Sequence, residues 1–198
     1  MLYPNLKFSK IPKGRPFFYT NFVQTVDGKV AVLEKGYWPI GSKFDHQVLL
    51  ELRGYADCLV HGGNLGRQFG EITLKSIKET QPNLPYYILT KHPKSLNKLK
   101  SLGATIISGG LDTLIRELKD QKFKHVLIEG GPTLLGSFLK EFLIDEIFLT
   151  IAPKIYGSKP SSTITLVEGI LLPPNKFKLK LISVKKIKNE LFLRYSVP

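Results

Sequence analysis

A chain of 198 residues, 42% hydrophobic and 23% charged, suffices for one globular domain with a sizeable core. Lysine and arginine number 29 against 16 acids, a net charge of +13, but the cations are mostly scattered lysines without interleaved aromatics, which argues against a nucleic-acid groove. No apolar run approaches the ~20 residues of a bilayer span, MLYPNLKFSKIPKGRPFF lacks the apolar core of a signal peptide, and a lone Cys58 excludes an internal disulfide or cysteine-based zinc site, so a cytoplasmic protein is expected.

FFYTNFVQTV (17–26) is rich in aromatic and β-branched residues and predicts a strand ending at the hairpin signal Asp27-Gly28. SKFDHQVLLELRGY (42–55) predicts a helix with Ser42 as N-cap and Asp45 as its capping partner. ADCLVHGG (56–63) reads as a short buried strand running into glycine, with Cys58 as a small buried hydrophobe. YYILT (86–90) and ATIISGG (104–110) are further strands, followed by helices over 94–103 and 111–120. HVLIEGG (125–131) is a fourth of this type. Its helix is expected from Pro132 to about Leu143, with Leu134, Leu135, Phe138, Leu139, Phe142 and Leu143 on one face. A strand follows over 145–151, and the end of the chain reads as a hairpin closed near Lys188-Asn189. Strands joined to helices through short glycine turns imply right-handed βαβ units and a mostly parallel sheet in a single α/β domain.

In such sheets ligands collect at the carboxyl ends of the strands. There the sequence places Gly130 and Gly131 ahead of a helix opening with Pro132 and Thr133, an arrangement that offers free N–H groups and a positive helix end to a phosphate, though a tight turn without ligand has the same pattern. LVHGGNLGR (59–67) repeats the theme with Gly62, Gly63 and Asn64, and its His61 reads more readily as structural than catalytic. Thr90 and Lys91 leave a strand end together, a hydroxyl beside an ammonium, or simply an exposed loop. Glu129 ends an otherwise apolar strand, where a carboxylate is costly unless paired or functional. With Asp27 it forms a pair of carboxylates at neighbouring strand ends, able to hold a polar heterocycle or handle a proton.

Taken in order, these stretches resemble the reductase domain of the riboflavin-biosynthesis deaminase-reductases and the stand-alone pyrimidine reductases. The likeness is carried by VLIEGGPTLLGSFLKEFLIDEIFLTIAPKIYG (126–157), NFVQTVDGKVA (21–31) and LRGYADCLVHGGNLGR (52–67). It implies a dihydrofolate-reductase-like fold, three αβα layers around a mixed, mostly parallel sheet ending in an antiparallel hairpin. It also implies NADPH as cofactor, held by Gly62, Gly63, Asn64, Gly130, Gly131, Thr133 and Leu134, with Thr90 and Lys91 near the 2′-phosphate. Asp27 and Glu129 are implied as catalytic and substrate-facing, with Asn21 and Thr25 beside them. The implied reaction is hydride delivery to a ribosylamino-pyrimidine phosphate, giving the ribitylamino form. A homodimer is implied as well, with its contact expected around Phe192 and Tyr195, and no metal. The His-x-Glu and Cys-x-x-Cys set of a zinc deaminase is missing from the sequence, so deaminase chemistry is not expected. The chain departs from the family pattern at His61, where glycine is expected, and in RQFGEITLKSIKETQPNLP (67–85). A same-fold reductase of another heterocycle or carbonyl compound, and a non-catalytic nucleotide or nucleic-acid binder, are the alternatives.

Overall fold

The computed structural model describes residues 1–36 and 38–198. In chain order the elements are β1 (Phe17–Thr25), β2 (Lys29–Val32), α1 (Lys43–Arg53), β3 (Cys58–Gly62), α2 (Gly63–Thr80), β4 (Tyr86–Thr90), α3 (Asn97–Ser101), β5 (Thr105–Ser108), α4 (Leu111–Asp120), β6 (His125–Gly130), α5 (Pro132–Lys140), β7 (Ile144–Ala152), β8 (Thr163–Thr165), β9 (Lys180–Ile187) and β10 (Glu190–Ser196). An eight-stranded sheet has the order β5-β4-β3-β6-β1-β7-β10-β9. From β5 to β7 neighbouring strands are parallel, and β10 and β9 add an antiparallel edge.

The period-2 alternation of the central strands separates two cores. Phe17, Tyr19, Leu59, Tyr86, Ile88 and Leu127 face one side, where α1, α2 and α3 cover them through Val48, Leu52, Leu74, Ile77 and Leu99. Phe18, Cys58, Val60, Val126 and Ile128 face the other, under Leu114 and Leu118 of α4 and Leu134, Leu135 and Phe138 of α5. This is the three-layer arrangement that the resemblance implies, and Cys58 is fully buried in it.

Several expectations are corrected. The long helix α2 fills part of the segment that the sequence left without an element. The helix expected over 94–103 is a 3₁₀ turn at Pro93–Leu96 followed by the single short turn of α3. Helix α5 stops at Lys140 because Phe142 takes the left-handed conformation, φ 52°, so that the Leu143 amide returns to the Phe138 carbonyl; Phe142 is thereby exposed. Asp27-Gly28 does make a turn, with Gly28 at φ 80° and its amide bonded to the Thr25 carbonyl, but β2 leaves to pair with β8 instead of folding back on β1. The terminal hairpin closes across Lys188-Asn189 as expected. Phe192 is consumed by the chain's own core, and the exposed apolar groups of the hairpin are Leu181, Ile182, Val184 and Leu191.

The N-terminus of α1 is tied to β10, next to the antiparallel edge strand of the sheet. Ser42 accepts the Phe44 amide at 3.0 Å, as a cap should. Its own amide and hydroxyl go to Glu190 of β10, not to Asp45. Asp45 turns instead to Thr150, and its Oδ1 is buried without a partner. Burial, aided by the nearby Glu190 charge, pushes the Asp45 carboxyl up to about 6 in spite of the Thr150 hydroxyl. A folded-state value above the unfolded one means that the native state keeps a proton which the unfolded chain has already released, so stability falls as pH rises from about 4 to about 6. The loss is at most about 3 kcal/mol. Asp45→Asn is expected to leave urea stability near pH 4 unchanged and to raise it above pH 7.

Candidate active site

Three strands deliver glycine to the carboxyl edge of the sheet. Helices α2, α4 and α5 begin at Gly62, Gly110 and Gly131 as N-caps, none of which supplies a side-chain cap. Their first N–H groups are therefore free for a ligand, and the positive ends of the three helices share one edge. The two glycines after β6 serve different ends. Gly130 sits at φ 101°, and a Cβ there would meet the Phe22 ring at 2.7 Å. Gly131 is extended, and a Cβ there would meet nothing within 4 Å. One glycine is required by the protein; the other keeps open space in front of α5, whose first turn carries Thr133 and Leu134.

The neighbouring strand ends extend this edge. A Cβ on Gly63 would fall 2.5 Å from Thr90 Oγ1, so the strand and helix ends are in close contact there. Thr90 accepts the His92 amide at 3.0 Å, and Lys91 beside it is exposed. Asn64 accepts from Arg67, which also reaches Ser95 at 3.2 Å. Arg67 is not among the site residues read from the sequence. Its spacing of three from Asn64 on a helix is the signal for it, and that helix was itself unrecognised.

A cavity of about 290 Å³ adjoins this edge between α1 and α2. Its apolar walls include Leu49, Leu65, Phe69 and Ile72, and its floor is polar: Asn21 of β1, Glu129 of β6 and His61 of β3. Asn21 is buried, and its Oδ1 has no hydrogen-bond partner. Glu129 owes its aim to an irregularity in the ladder. Val60 pairs with Ile128 and His61 with Gly130, so Glu129 is an extra residue in β6, the device by which a strand redirects a side chain.

Glu129 is held by a partner 76 residues away. Arg53, at the end of α1, donates Nε to Oε1 at 2.5 Å and Nη2 to Oε2 at 2.7 Å, and its Nη1 reaches Ser76 of α2 at 3.1 Å. His61 Nε2 lies 3.2 Å from Oε2, and its Nδ1 is 2.8 Å from the Tyr86 hydroxyl. Burial alone would raise the Glu129 carboxyl, but the Arg53 bonds, followed by His61, hold it below the usual glutamate value. Burial would likewise lower the Arg53 guanidinium, and Glu129 keeps it raised instead. Neither Arg53 nor Tyr86 was singled out by the sequence.

Asp27 is placed elsewhere. Asn21 and Thr25 are separated by roughly 13 Å of strand at ~3.3 Å per residue, and Asp27 lies beyond both. Its carboxylate accepts from the Thr25 hydroxyl at 2.6 Å and from the amides of Tyr156 and Gly157 at 3.3 and 2.8 Å. The Thr25 hydroxyl, then those amides, hold it below the usual aspartate value. Thr25 in turn accepts the Lys29 amide. Asn21 and Glu129 thus share the cavity floor, whereas Thr25 and Asp27 brace the turn after β1.

Comparison with known proteins gives a consistent picture. A family model described as the RibD C-terminal domain matches residues 16–193. The riboflavin biosynthesis protein RibD of Aquifex aeolicus is 30% identical over 177 residues, 76% of this chain and 50% of that protein, so the chain spans about half its length. A 2,5-diamino-6-ribosylamino-4(3H)-pyrimidinone 5′-phosphate reductase of Methanothermobacter thermautotrophicus is 25% identical over 214 residues, 92% of this chain and 99% of that one. Among solved structures, Acinetobacter baumannii RibD has a TM-score of 0.74 at 21% identity, covering 94% of this chain and 59% of its own. The dihydrofolate reductase of Enterococcus faecalis, complexed with NADP(H), has a TM-score of 0.59 at 13% identity, covering 91% and 96%. These two are likenesses of fold.

The ion pair generates a stability prediction. Arg53→Met strands a buried carboxylate and is expected to cost about 3–5 kcal/mol in urea unfolding, whereas pairing it with Glu129→Leu should recover most of the loss. Additive losses in the double variant would show that the two side chains are not coupled.

Proposed function

The chain belongs to the RibD C-terminal domain family, and we propose that it is an NADPH-dependent reductase that converts a ribosylamino-pyrimidine phosphate to its ribitylamino form. The observation that carries this reading is a glycine-lined, uncapped helix edge adjoining a cavity whose floor holds an anionic Glu129 and the unpartnered Asn21 oxygen. The substrate is taken from the names of the relatives, a pyrimidinone phosphate reductase and a 5-amino-6-(5-phosphoribosylamino)uracil reductase among them. The reading assigns residues 1–198 to reductase chemistry alone, in the cytoplasm.

The open space at Gly131 and the free N–H groups of α2 and α5 suit the pyrophosphate of a dinucleotide. Gly62, Gly63 and Asn64 would line it on one side, Gly130, Thr133 and Leu134 on the other. Thr90 and Lys91, joined by Arg67, would take the 2′-phosphate. When bound, NADPH supplies the hydride. The chain's own residues arrange the acceptor. Glu129 and Asn21 face the ring with acceptor oxygens, matching the N–H donors of an aminopyrimidine. The apolar walls would pack against the faces of the ring. In the reaction the C1′–O4′ bond breaks, hydride adds to C1′, and the balancing proton, drawn from water, ends on O4′. Positive charge develops on the C1′–N unit as that bond breaks, and the adjacent Glu129 carboxylate stabilises it. Asp27 and Thr25 contribute by fixing the turn after β1.

The cavity walls favour a second reading, a same-fold reductase of a less polar heterocycle. No lysine lines the cavity among the described residues, and Arg53 is committed to Glu129. Following nicotinamide absorbance with the phosphorylated substrate, and with its dephosphorylated form, separates the two. Turnover of the phosphate ester supports the first reading; turnover of the free riboside alone supports the second.

A homodimer belongs to the same proposal, with its contact on the terminal hairpin near Tyr195 and the exposed Leu181, Val184 and Leu191. A single monomeric species in sedimentation at micromolar concentration would count against it.

Gly131→Val keeps an extended backbone that valine tolerates and fills the open space, so it should abolish NADPH binding in a folded protein. Unchanged affinity removes the cradle. Lys91→Ala should weaken NADPH about tenfold and NADH little, since a charge-assisted hydrogen bond to the 2′-phosphate is worth about 1.5–3 kcal/mol. Glu129→Gln should cut turnover more than it weakens NADPH binding.

A further inference from the structure

His61 stands where the family resemblance leads one to expect glycine, and its surroundings give the difference a use. The ring is 2% exposed and faces the same side of the sheet as Glu129, at the point where the β3–β6 register slips. Glu129, gripped twice by Arg53, is an ionised acceptor and can only receive hydrogen bonds. The 3.2 Å contact to Oε2 therefore requires the proton on His61 Nε2. Nδ1 is then left with a lone pair, which the Tyr86 hydroxyl fills at 2.8 Å, its one hydrogen bond among the described residues. Burial, and then the Glu129 charge, raise the Tyr86 hydroxyl, so it keeps its proton and serves as a donor. One tautomer satisfies all three side chains. The other would turn a lone pair toward a buried carboxylate.

Among the described residues, Arg53 is the one other charged side chain at Oε2. Helix α1 contributes Arg53 and, on the cavity wall, His46; α2 contributes the neutral Thr73 and Ser76; β1 contributes Asn21 and the Tyr19 hydroxyl, raised chiefly by burial. Oε2 is filled by Arg53 and His61, whereas Oε1 has, among the described residues, one bond, from Arg53. We propose that His61 is a positioning residue that, braced by Tyr86, locks Glu129 as a fixed anion with Oε1 free for substrate, so that Glu129 acts as a charge and not as a proton donor. The consequence for turnover rests on the reductase reading; the tautomer and the lock do not.

Two measurements on the ligand-free protein test the lock directly. Long-range ¹H–¹⁵N correlation should give His61 protonated on Nε2 and bare on Nδ1 at neutral pH; the reverse tautomer or an imidazolium overturns the proposal. Carboxyl ¹³C titration should place Glu129 higher in His61→Leu than in wild type, with His61→Gln, which keeps a donor at the Nε2 position, close to wild type. An unmoved Glu129 in His61→Leu overturns it. If that variant does not fold, Tyr86→Phe decides: the Nε2–H preference should weaken there, and an unaltered tautomer refutes the bracing. In turnover, His61→Leu should lower kcat about tenfold and move the acid limb of the pH profile upward, with KM for NADPH within about twofold and His61→Gln largely restored. A loss of kcat with an unshifted profile would mark His61 as merely structural. Absence of NADPH turnover in the wild type, with the tautomer as stated, would fail the reductase reading and leave the lock standing.

Discussion

The Arg53–Glu129 pair is the interaction on which the site and much of the surrounding fold depend. Removing either ion from water costs several kcal/mol, and only good geometry and further hydrogen bonds repay it. Here the guanidinium meets the carboxylate with two parallel bonds at 2.5 and 2.7 Å, and its remaining arm reaches Ser76. The pair therefore joins β6, the end of α1 and the middle of α2. Those two helices form the walls of the cavity, so the same bonds that make a buried charge tolerable also fix the width of the space above it. The room above the carboxylate and the tolerance of its charge have one cause.

The anionic and cationic needs of the proposed reaction are met by different kinds of group. In the proposal, the pyrophosphate falls to backbone N–H groups at the glycine-capped starts of α2 and α5, which carry partial charge and need no side-chain ordering. The developing cation would be met by a single full negative charge, that of Glu129, on the cavity floor. Apart from Lys91, proposed for the 2′-phosphate, much of the lysine excess lies elsewhere: Lys178, Lys180, Lys186 and Lys188 sit on or beside the β9 edge, away from the glycine turns. A net charge of +13 instead raises the local concentration of anionic ligands at long range, an effect that salt removes. The same lysines discourage edge-to-edge pairing of β9, which also carries the exposed Leu181 and Val184.

What was legible in the sequence follows from how local each cause is. Strands that run into glycine announce themselves because period, β-branching and turn chemistry all act within a few residues. The central parallel sheet and its carboxyl-edge glycines were read in this way. Helix α2 escaped because four glycines, Gly62, Gly63, Gly66 and Gly70, fall at its start and within its first half and weaken the helical signal there. In the folded chain Gly66 and Gly70 lie under Ile88 and Leu99, where a Cβ would come within 3.0 and 2.5 Å of their side chains, so these glycines report close helix packing. The small β2–β8 sheet escaped because its two strands are short and far apart in sequence. At Glu129 the sequence displayed the cost of a carboxylate in an apolar strand, but the identity of its partner belongs to the tertiary structure. Arg53 is carried there by a helix packed against another strand altogether.

Asp27 shows the limit of the same reasoning from the opposite side. Asp-Gly is a sound turn signal, and Asn-Gly turns as readily, which would make Asp27→Asn a clean separation of catalysis from hairpin chemistry. In the folded chain both carboxylate oxygens are engaged, by the Thr25 hydroxyl and by the Tyr156 and Gly157 amides. All three are donors. An asparagine in the same place can present only one acceptor oxygen, and its NH₂ group would face a backbone N–H wherever the second oxygen had been. That substitution releases the loop after β7 from the turn after β1, whatever Asp27 contributes to chemistry. A fall in turnover in that variant therefore carries no catalytic assignment by itself. The assignment needs a change that leaves the three donors satisfied, and no neutral side chain of that size does so.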